Sequence, residues 1–563
     1  MNRSLPSETT SDFPKGLDQG LWFVPLGGAG EIGMNLNLFA CDGKWLMVDC
    51  GVTFGDETIP GLDVVMPDPG FIVERREKLE GIIVTHAHED HVGAVAYLWP
   101  QLRCPVYTTP FCAAFLQHKL KEAGLENEVP VVVVPLGGRA EVGPFKVDFI
   151  QLTHSIPEPN ALAIRTKYGT IFHTGDWKFD PNPLVGEATD FAALNALGEE
   201  GVLALIGDST NVFTEGEAGS EGDVRESLIS LFAKYTGRIA VGSFASNVAR
   251  LESICRAARA NGRDVALVGQ SLWRIVETAR RTGYLADDLT FYEASEAAFL
   301  PRDKVLYICT GSQGEGRAAL MRIASGQHQD VSLEEGDVVV FSSRAIPGNE
   351  KAIAKVQNSL AKLGVEVVTA KHFPIHVSGH PARDDLRRMY QTIRPRIAIP
   401  VHGEAMHLRE HTRLAKECQV PLAIMIENGQ AVRFDGDKAK IAGTVWSGRM
   451  ALDDGEVIPF ASSMLRDRKR MFYEGAAVAS VALDEEGNVS GEPLLAVLGI
   501  SDPLEGETEE GWDWILTNAV NRLPKKARRD DVVVDEAVRG AVRKAFAPRR
   551  KPVVKVHIVR PYD

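Results

Sequence analysis

Val84-Thr85-His86-Ala87-His88-Glu89-Asp90-His91-Val92-Gly93 is the stretch that decides how this chain is read. Its three histidines and one aspartate fall at the spacing H-x-H-x-D-H. At this histidine content a chance match is expected in roughly one chain in two thousand, which argues against a merely solvated histidine-rich loop. Gly81-Ile82-Ile83-Val84 before it predicts a strand, and Val92 to Leu98 after it predicts the start of a helix, so the cluster occupies a strand-to-helix loop. Imidazole and carboxylate are the ligands that a zinc-type ion takes. Four of them so close in sequence can face inward only if the backbone turns sharply, and the stretch reads as half of a two-metal site.

Working outward, five further strands end on a residue able to hold or orient a metal. Trp45-Leu46-Met47-Val48 leads into Asp49, Val147 to Leu152 into His154, and Thr170 to Gly175 into Asp176. Val202 to Gly207 leads into Asp208, and Ile397 to Val401 into His402. In layered α/β structures ligands gather at the carboxyl ends of strands, so these ends are expected to converge on one face. Taken singly, His154 or His402 is more often a satisfied core or surface histidine, and an aspartate after a strand is more often a helix cap. Capping competes most strongly at Asp208, which Ser209-Thr210-Asn211 follows. The glycines of Gly27-Gly28-Ala29-Gly30-Glu31-Ile32-Gly33 invite a nucleotide-loop reading. Their spacing matches neither the dinucleotide nor the P-loop pattern, and Met34 to Leu38 continues as an alternating strand.

A length of 563 residues exceeds one core and predicts several domains. Residues 1–20 read as a flexible lead, 21–215 as the first part of a core, and 216–370 as an inserted α/β domain with its own strand-helix rhythm. The core resumes over 371–450, and 451–563 reads as a linker and a small α+β domain. That last domain contains an acidic loop from Glu505 to Glu510, an amphipathic helix over Asp535 to Phe546 and a final strand over Val553 to Val559. No apolar run reaches the ~18 residues of a membrane span, and the first twenty residues lack the core of a signal peptide, so the expected location is the cytoplasm and no membrane partner is expected. Seven cysteines with no C-x-x-C pair argue against a disulfide framework and a cysteine-zinc site, and are expected to be reduced and mostly packed. The net charge of −14 is unevenly spread. From Asn521 onward thirteen Lys/Arg face five Asp/Glu, a basic patch on an acidic body that keeps RNA open as a partner.

His376-Val377-Ser378-Gly379-His380 places hydroxyl, imidazole and a bare glycine backbone within five residues, a composition suited to gripping a phosphate. Phe244-Ala245-Ser246-Asn247 offers a second hydroxyl and an amide. The bland alternative is a turn before the helix that Pro381-Ala382-Arg383-Asp384 begins.

With these pieces assembled, the chain resembles the metallo-β-lactamase fold in its nucleic-acid-cleaving branch, most closely the bacterial ribonuclease J family. The stretches that carry the resemblance are the Gly27 to Gly33 run, the His86 to His91 cluster, Leu152-Thr153-His154-Ser155-Ile156-Pro157-Glu158 and His173-Thr174-Gly175-Asp176. Further along they are Gly207 to Asn211, Phe244 to Asn247, Pro347-Gly348-Asn349-Glu350, His376 to His380 and Pro400-Val401-His402-Gly403-Glu404. The resemblance implies an α/β fold: a metallo-β-lactamase αββα sandwich interrupted by an inserted α/β β-CASP domain, plus a small α+β C-terminal domain. It implies one metal on His86, His88, His154 and Asp176, a second on Asp90, His91, bridging Asp176 and His402, and Asp49 steadying the histidine loop. Two zinc ions are the expected cofactors, with manganese or magnesium as alternative occupants, and a structural calcium near Asp453 or Asp454 is a further expectation.

Asp90 is the candidate general base, and His380 the candidate proton donor, oriented with help from Asp208. The function so implied is a ribonuclease of rRNA and mRNA maturation and decay. It would cut single-stranded RNA 5′ to 3′ and also internally, prefer a 5′-monophosphate gripped by Ser246, Asn247 and His376 to His380, and work as a homodimer or homotetramer. Three alternatives stand beside it: a β-CASP DNA nuclease, a metallo-hydrolase of small esters or lactones, and a degenerate scaffold that binds RNA or a partner without cutting. An inserted clamp domain is superfluous for a small ester, the DNA-directed branch usually carries an apolar residue where this chain has His402, and a scaffold would not keep every ligand position filled.

Overall fold

The computed structural model describes residues 13–55, 59–346, 348–504 and 511–560. The chain divides into two compact units, Met1–Thr53 with Met66–Gly448, and Phe54–Val65 with Arg449–Asp563.

The first unit is built on two sheets whose inner faces share one core. An eight-stranded sheet runs Lys438–Thr444, Gln430–Asp435, Leu21–Gly27, Leu36–Cys41, Lys44–Val48, Leu79–Ile83, Val106–Thr108 and Val131–Val133. A seven-stranded sheet runs Arg139–Val142, Phe145–Gln151, Asn160–Thr166, Gly169–His173, Ala204–Asp208, Ile397–Val401 and Leu422–Ala423. Side-chain alternation with period two sorts each strand between layers. Phe145, Val147 and Phe149 meet Phe23, Phe39 and Val48 of the facing sheet. Ile150 and Leu152 turn the other way, against Leu194 and Leu197 of the Phe191–Glu200 helix and Leu386, Met389 and Ile393 of the Arg383–Ile393 helix. Each such fully buried apolar side chain contributes roughly 1.5–3 kcal/mol.

Pairing direction is what positions the site. Gly169–His173, Ala204–Asp208 and Ile397–Val401 are parallel neighbours, with Asp208 opposite Val401, so their carboxyl ends lie side by side. Leu79–Ile83 is likewise parallel to Lys44–Val48 in the other sheet.

The insertion is a six-stranded, wholly parallel sheet in the order Tyr292–Glu293, Asp264–Val268, Val305–Cys309, Ile239–Gly242, Val338–Phe341, Glu366–Thr369. It has its own apolar core, in which Ala240, Tyr307 and Val339 pack with Leu320 and Val356.

In the second unit, Ala476–Ala482 lies between Leu494–Leu498 and Val553–Val559. The Asp531–Phe546 helix buries Val534, Val538, Val542 and Phe546, one residue per turn along a single stripe, against this sheet. The opposite sheet face leaves Leu494, Leu498, Val478 and Val559 exposed.

Several readings of the sequence meet a different outcome here. Phe54–Val65, assigned above to the first core, belongs to the second unit, where Ile59 and Leu62 pack with Ala451 and Leu465. Residues 13–20 are not a loose lead, since Leu17 is buried and Asp18 pairs with Lys78 at 2.8 Å. Residues 1–12 and the Glu505 to Glu510 loop lie outside the described residues. Asp453, a candidate calcium ligand, has both carboxylate oxygens held by Arg468 at 2.8 and 2.9 Å, so a guanidinium stands where that cation was expected. Neither Asp453 nor Asp454 falls in a metal-competent cluster among the described residues. All seven cysteines are free, and six are buried.

Candidate metal centre and phosphate loop

The strand ends bring together two sets of four donors, His86, His88, His154 and Asp176, and Asp90, His91, Asp176 and His402. Within each set the ligand atoms lie within 4.8 Å of one another. His88 Nδ1 is 3.1 Å from His86 Nε2 and 3.0 Å from His154 Nε2. Asp176 Oδ2 is 3.9 Å from both of those ring nitrogens, 3.1 Å from His91 Nε2 and 3.6 Å from His402 Nε2. A tetrahedral zinc with bonds near 2.0–2.1 Å has ligand–ligand edges of about 3.3 Å, so the spacing and the all-N/O donor chemistry fit two such ions sharing Asp176.

The far nitrogen of four of the imidazoles is pinned, which fixes the tautomer. His154 Nδ1 lies 2.6 Å from the Gly379 carbonyl, an acceptor only, so the proton is on Nδ1 and the Nε2 lone pair faces the site. His91 Nδ1 donates in the same way to Asp49 Oδ2 at 2.7 Å. The Thr85 hydroxyl donates to Asp49 at 3.0 Å and accepts from His86 Nδ1 at 3.0 Å. Thr210 does the equivalent for His402, accepting from Nδ1 at 2.7 Å while donating to the His402 carbonyl.

Electrostatics agree with cation binding. Burial drives the His86 and His154 protons off and takes His88 down to about 4, leaving neutral ligands. At His91 and His402 burial acts the same way but is outweighed by the carboxylates they face, which raise His91 well above its ordinary value and His402 to about 9. Positive charge is what these carboxylates demand, and a metal supplies it. His86, His91, His402 and Asp176 are buried, whereas the Asp90 side chain is 29% exposed and opens the site to solvent.

His380 Nδ1 donates to Asp208 Oδ2 at 2.8 Å. Burial alone would lower the His380 pKa, but Asp208 and Asp176 outweigh it and raise it. Asp208 Oδ1 meanwhile accepts from Thr210 N at 2.9 Å, so the aspartate caps its turn and orients the histidine at once. Asp176, Asp208, His380 and His402 also lie close enough to form a third donor set. His380 Nδ1 and Asp208 are already bonded to each other there, so we do not read it as an ion site.

In the 376–380 loop, Ser378 Oγ accepts from Asn211 Nδ2 at 2.6 Å and from His380 N at 3.1 Å. Gly379 is a glycine for a reason different from the one expected. A Cβ there would stand 2.7 Å from the His154 ring, so its bareness admits a histidine rather than an anion. Val377 packs toward Gly219. Ser246 is half-buried, and Asn247 is committed elsewhere: its Oδ1 caps the Val248–Ala260 helix by accepting from Arg250 N, and its Nδ2 meets Glu221. We therefore correct Asn247 from a phosphate ligand to a helix anchor.

Thr85, Thr210 and Asn35 escaped the sequence reading because a hydroxyl or amide carries no spacing signal. Asn35 holds the Asp90 carbonyl through its backbone N–H at 2.9 Å and its Nδ2 at 3.1 Å. Gly51 also escaped, and a Cβ there would lie 1.7 Å from the Asp90 carbonyl. The glycine-rich Gly27 to Gly33 run supports His402: Gly28 O accepts from His402 N at 2.6 Å, and Ala29–Gly30 pairs with Gly403–Glu404.

Comparison with known families covers nearly the whole chain. Residues 37–239 match the metallo-beta-lactamase superfamily, and 236–360 match the ribonuclease J beta-CASP domain. Residues 358–423 match the Zn-dependent metallo-hydrolase RNA specificity domain, and 463–561 the ribonuclease J C-terminal domain. A ribonuclease J from Sinorhizobium meliloti is 43% identical over 552 residues, spanning 96% of this chain and 98% of that one. Ribonuclease J 1 of Streptococcus pyogenes is 35% identical over 95% of this chain and 97% of its own length. An Enterococcus faecalis protein of unknown function matches in fold, with a TM-score of 0.51 at 17% identity over 74% of this chain and all of its own. With four consecutive domain matches and full-length relatives at this level of identity, the chain belongs to the ribonuclease J family.

Proposed function

We propose that the protein is a metal-dependent ribonuclease that hydrolyses RNA phosphodiester bonds at the His86 to His402 centre. The carrying observation is the set of imidazoles whose outward nitrogens are pinned to Gly379, Asp49, Thr85 and Thr210, leaving lone pairs converging around Asp176. Two zinc ions, with manganese or magnesium as substitutes, would polarise the phosphodiester and bring a water toward neutral pKa when bound. Asp90, the solvent-facing carboxylate, orients that water as general base. His380, protonated and held by Asp208, carries a proton on Nε2 for the leaving oxygen. The 376–380 loop receives the RNA 5′-monophosphate through Ser378 and His376, with Ser246 as a further hydroxyl, and removal of nucleotides proceeds 5′ to 3′ alongside internal cleavage. The substrate is single-stranded RNA in rRNA and mRNA maturation and decay, in the cytoplasm. Among the described residues no helix is long and apolar enough to cross a membrane.

Self-association, as a dimer or tetramer, is supported by the outward apolar face of the C-terminal sheet, where Leu494 is 69% and Leu498 58% exposed.

End-labelled single-stranded RNA and matched DNA distinguish the readings. We expect mononucleotides and some internal fragments from RNA, little cleavage of DNA, and complete loss after chelation with return on adding zinc or manganese. Activity surviving in protein that metal analysis finds free of divalent ions would overturn the reading.

A further inference from the structure

The 376–380 loop is flanked by two arginines whose contacts fix the polarity of its side chains. Arg250 is fully buried and cannot swing away. Its Nε and Nη2 bond Glu221 at 3.0 and 2.9 Å, and its Nη1 donates to the Ser342 carbonyl at 2.8 Å, Ser342 Oγ at 2.9 Å and the Ile375 carbonyl at 3.2 Å. The same Nη1 lies 3.3 Å from His376 Nδ1. A guanidinium has donors and no acceptor, so His376 Nδ1 must present its lone pair. A neutral imidazole has one N–H, which therefore sits on Nε2. Burial, then the charges of Arg250, Arg344 and Lys178, take the His376 pKa to about 3, so the ring is neutral at working pH.

The second relay begins at Arg344, whose side chain is exposed and whose carbonyl accepts from Gln313 Nε2 at 2.9 Å. Arg344 Nη1 donates to Asn211 Oδ1 at 3.0 Å, and the opposite amide flip would set donor against donor. Asn211 Nδ2 is thereby turned to Ser378 Oγ at 2.6 Å and the His380 carbonyl at 3.2 Å. With His380 N also donating to Ser378 Oγ, both lone pairs of that oxygen are engaged, and its proton must point elsewhere.

We infer that Arg250 and Arg344 are positioning residues that hold His376 and Ser378 as hydrogen-bond donors, so that the loop accepts a ligand group made only of acceptors, an ionised terminal phosphate. This rests on the phosphate reading of the loop given above. Neither arginine need touch the RNA. Each acts through one intermediary, His376 Nδ1 in one case and the Asn211 amide in the other. A 5′-hydroxyl offers one neutral oxygen and brings a proton of its own to the loop's donors, whereas an ionised phosphate offers three charged acceptor oxygens spread around the phosphorus.

The test compares kcat/KM on single-stranded RNAs that differ only in a 5′-monophosphate or 5′-hydroxyl end. The wild type is expected to favour the monophosphate at least tenfold. Arg344→Ala is expected to bring that ratio down about tenfold, chiefly through KM on the monophosphate substrate, and Arg344→Lys, which keeps a donor, to recover most of it. Arg250→Lys is the buried counterpart, and if it fails to fold, the exposed Arg344 pair still decides the matter. In protein labelled with 15N-histidine, His376 is expected as the Nε2–H tautomer, and an Nδ1–H form would overturn the inference. A wild type indifferent to the 5′ end would overturn the phosphate pocket itself. A wild type with the preference, retained undiminished in Arg344→Ala, would overturn the arginine roles alone. A role confined to folding would lower both rates together and leave the ratio unchanged, which also counts against the inference.

Discussion

His380 and Asp208 face each other at 2.8 Å, close enough that the proton on His380 Nδ1 is committed and only Nε2 is available to a reacting oxygen. A group that acts on the leaving oxygen stabilises the transition state more than the bound substrate. His380→Ala should therefore lower kcat roughly 10²–10⁴-fold. Its RNA Kd should stay within a few-fold, read by comparing binding in the single variant with that of an Asp90→Asn protein that does not turn over. Equal loss of binding and turnover would make His380 a substrate grip instead. Asp49 makes a different prediction, because it touches His91 and Thr85 but belongs to neither set of four donors. Asp49→Asn should weaken metal retention by roughly 10–100-fold, measured by competition with a chelator, while the fold persists. At this scale a reader of sequence can find side chains whose chemistry is rare and clustered, such as His86, His88, Asp90 and His91. Thr85, Thr210 and Asn35 are commonplace residues whose role depends on what lies opposite them in space. Asn247 misled because an amide that caps a helix and an amide that binds an anion look alike in a string of letters.

The Ala405–Glu417 helix begins just after His402 and buries Leu408, Leu414 and Ala415 together with one imidazole, His411. His411 Nδ1 meets Ser209 Oγ at 2.8 Å and Nε2 meets Tyr390 OH at 2.8 Å. Burial takes its pKa from 6.5 to about 4. The folded state thus binds fewer protons than the unfolded chain between these values, and the stability is fully present above about 6.5 and is lost as pH falls toward 4. The slope is about 1.4 kcal/mol per pH unit for this group. His411→Gln should be less stable at neutral pH yet lose less on going from pH 7 to pH 5, in urea titrations run alongside the wild type. A pH dependence identical in both would mean that His411 protonates freely in the folded state. Among elements, the inner strands of the insertion were legible, and the edge strands Tyr292–Glu293 and Glu366–Thr369 were not, because parallel strands buried on both faces such as Val338–Phe341 read as short, unbroken apolar runs between helices. Phe54–Val65 was not, since a short segment can pack with residues four hundred positions away without any periodic mark, as Ile59 does with Leu465.

On the scale of the molecule, the outward face of the C-terminal sheet and the basic tail call for separate tests. Leu494→Glu with Leu498→Glu places charge on exposed positions of the Leu494–Leu498 strand without touching the side that meets the Asp531–Phe546 helix. The solution mass should fall to that of a single chain, measured by light scattering, and an unchanged mass would move the association surface elsewhere. Neutralising Lys525, Lys526 and Arg529 should reduce the salt dependence of RNA affinity by up to about one unit of slope per contacting charge. Deleting the whole region is a poorer experiment, because Ile59 and Leu62 would lose Ala451 and Leu465 and be left bare.

The Ile397–Val401 strand, between Ala204–Asp208 and Leu422–Ala423, fills an interior place in its sheet and delivers His402 more than three hundred residues after Asp90. Synthesis on the ribosome meets these in order. All the donors of the first set have left the tunnel while the second set still lacks His402 and the sheet its interior strand. The growing polypeptide is therefore without a complete nuclease centre until His402 itself has been added, so that activity, like the fold that carries it, waits on a strand made long after the first donors.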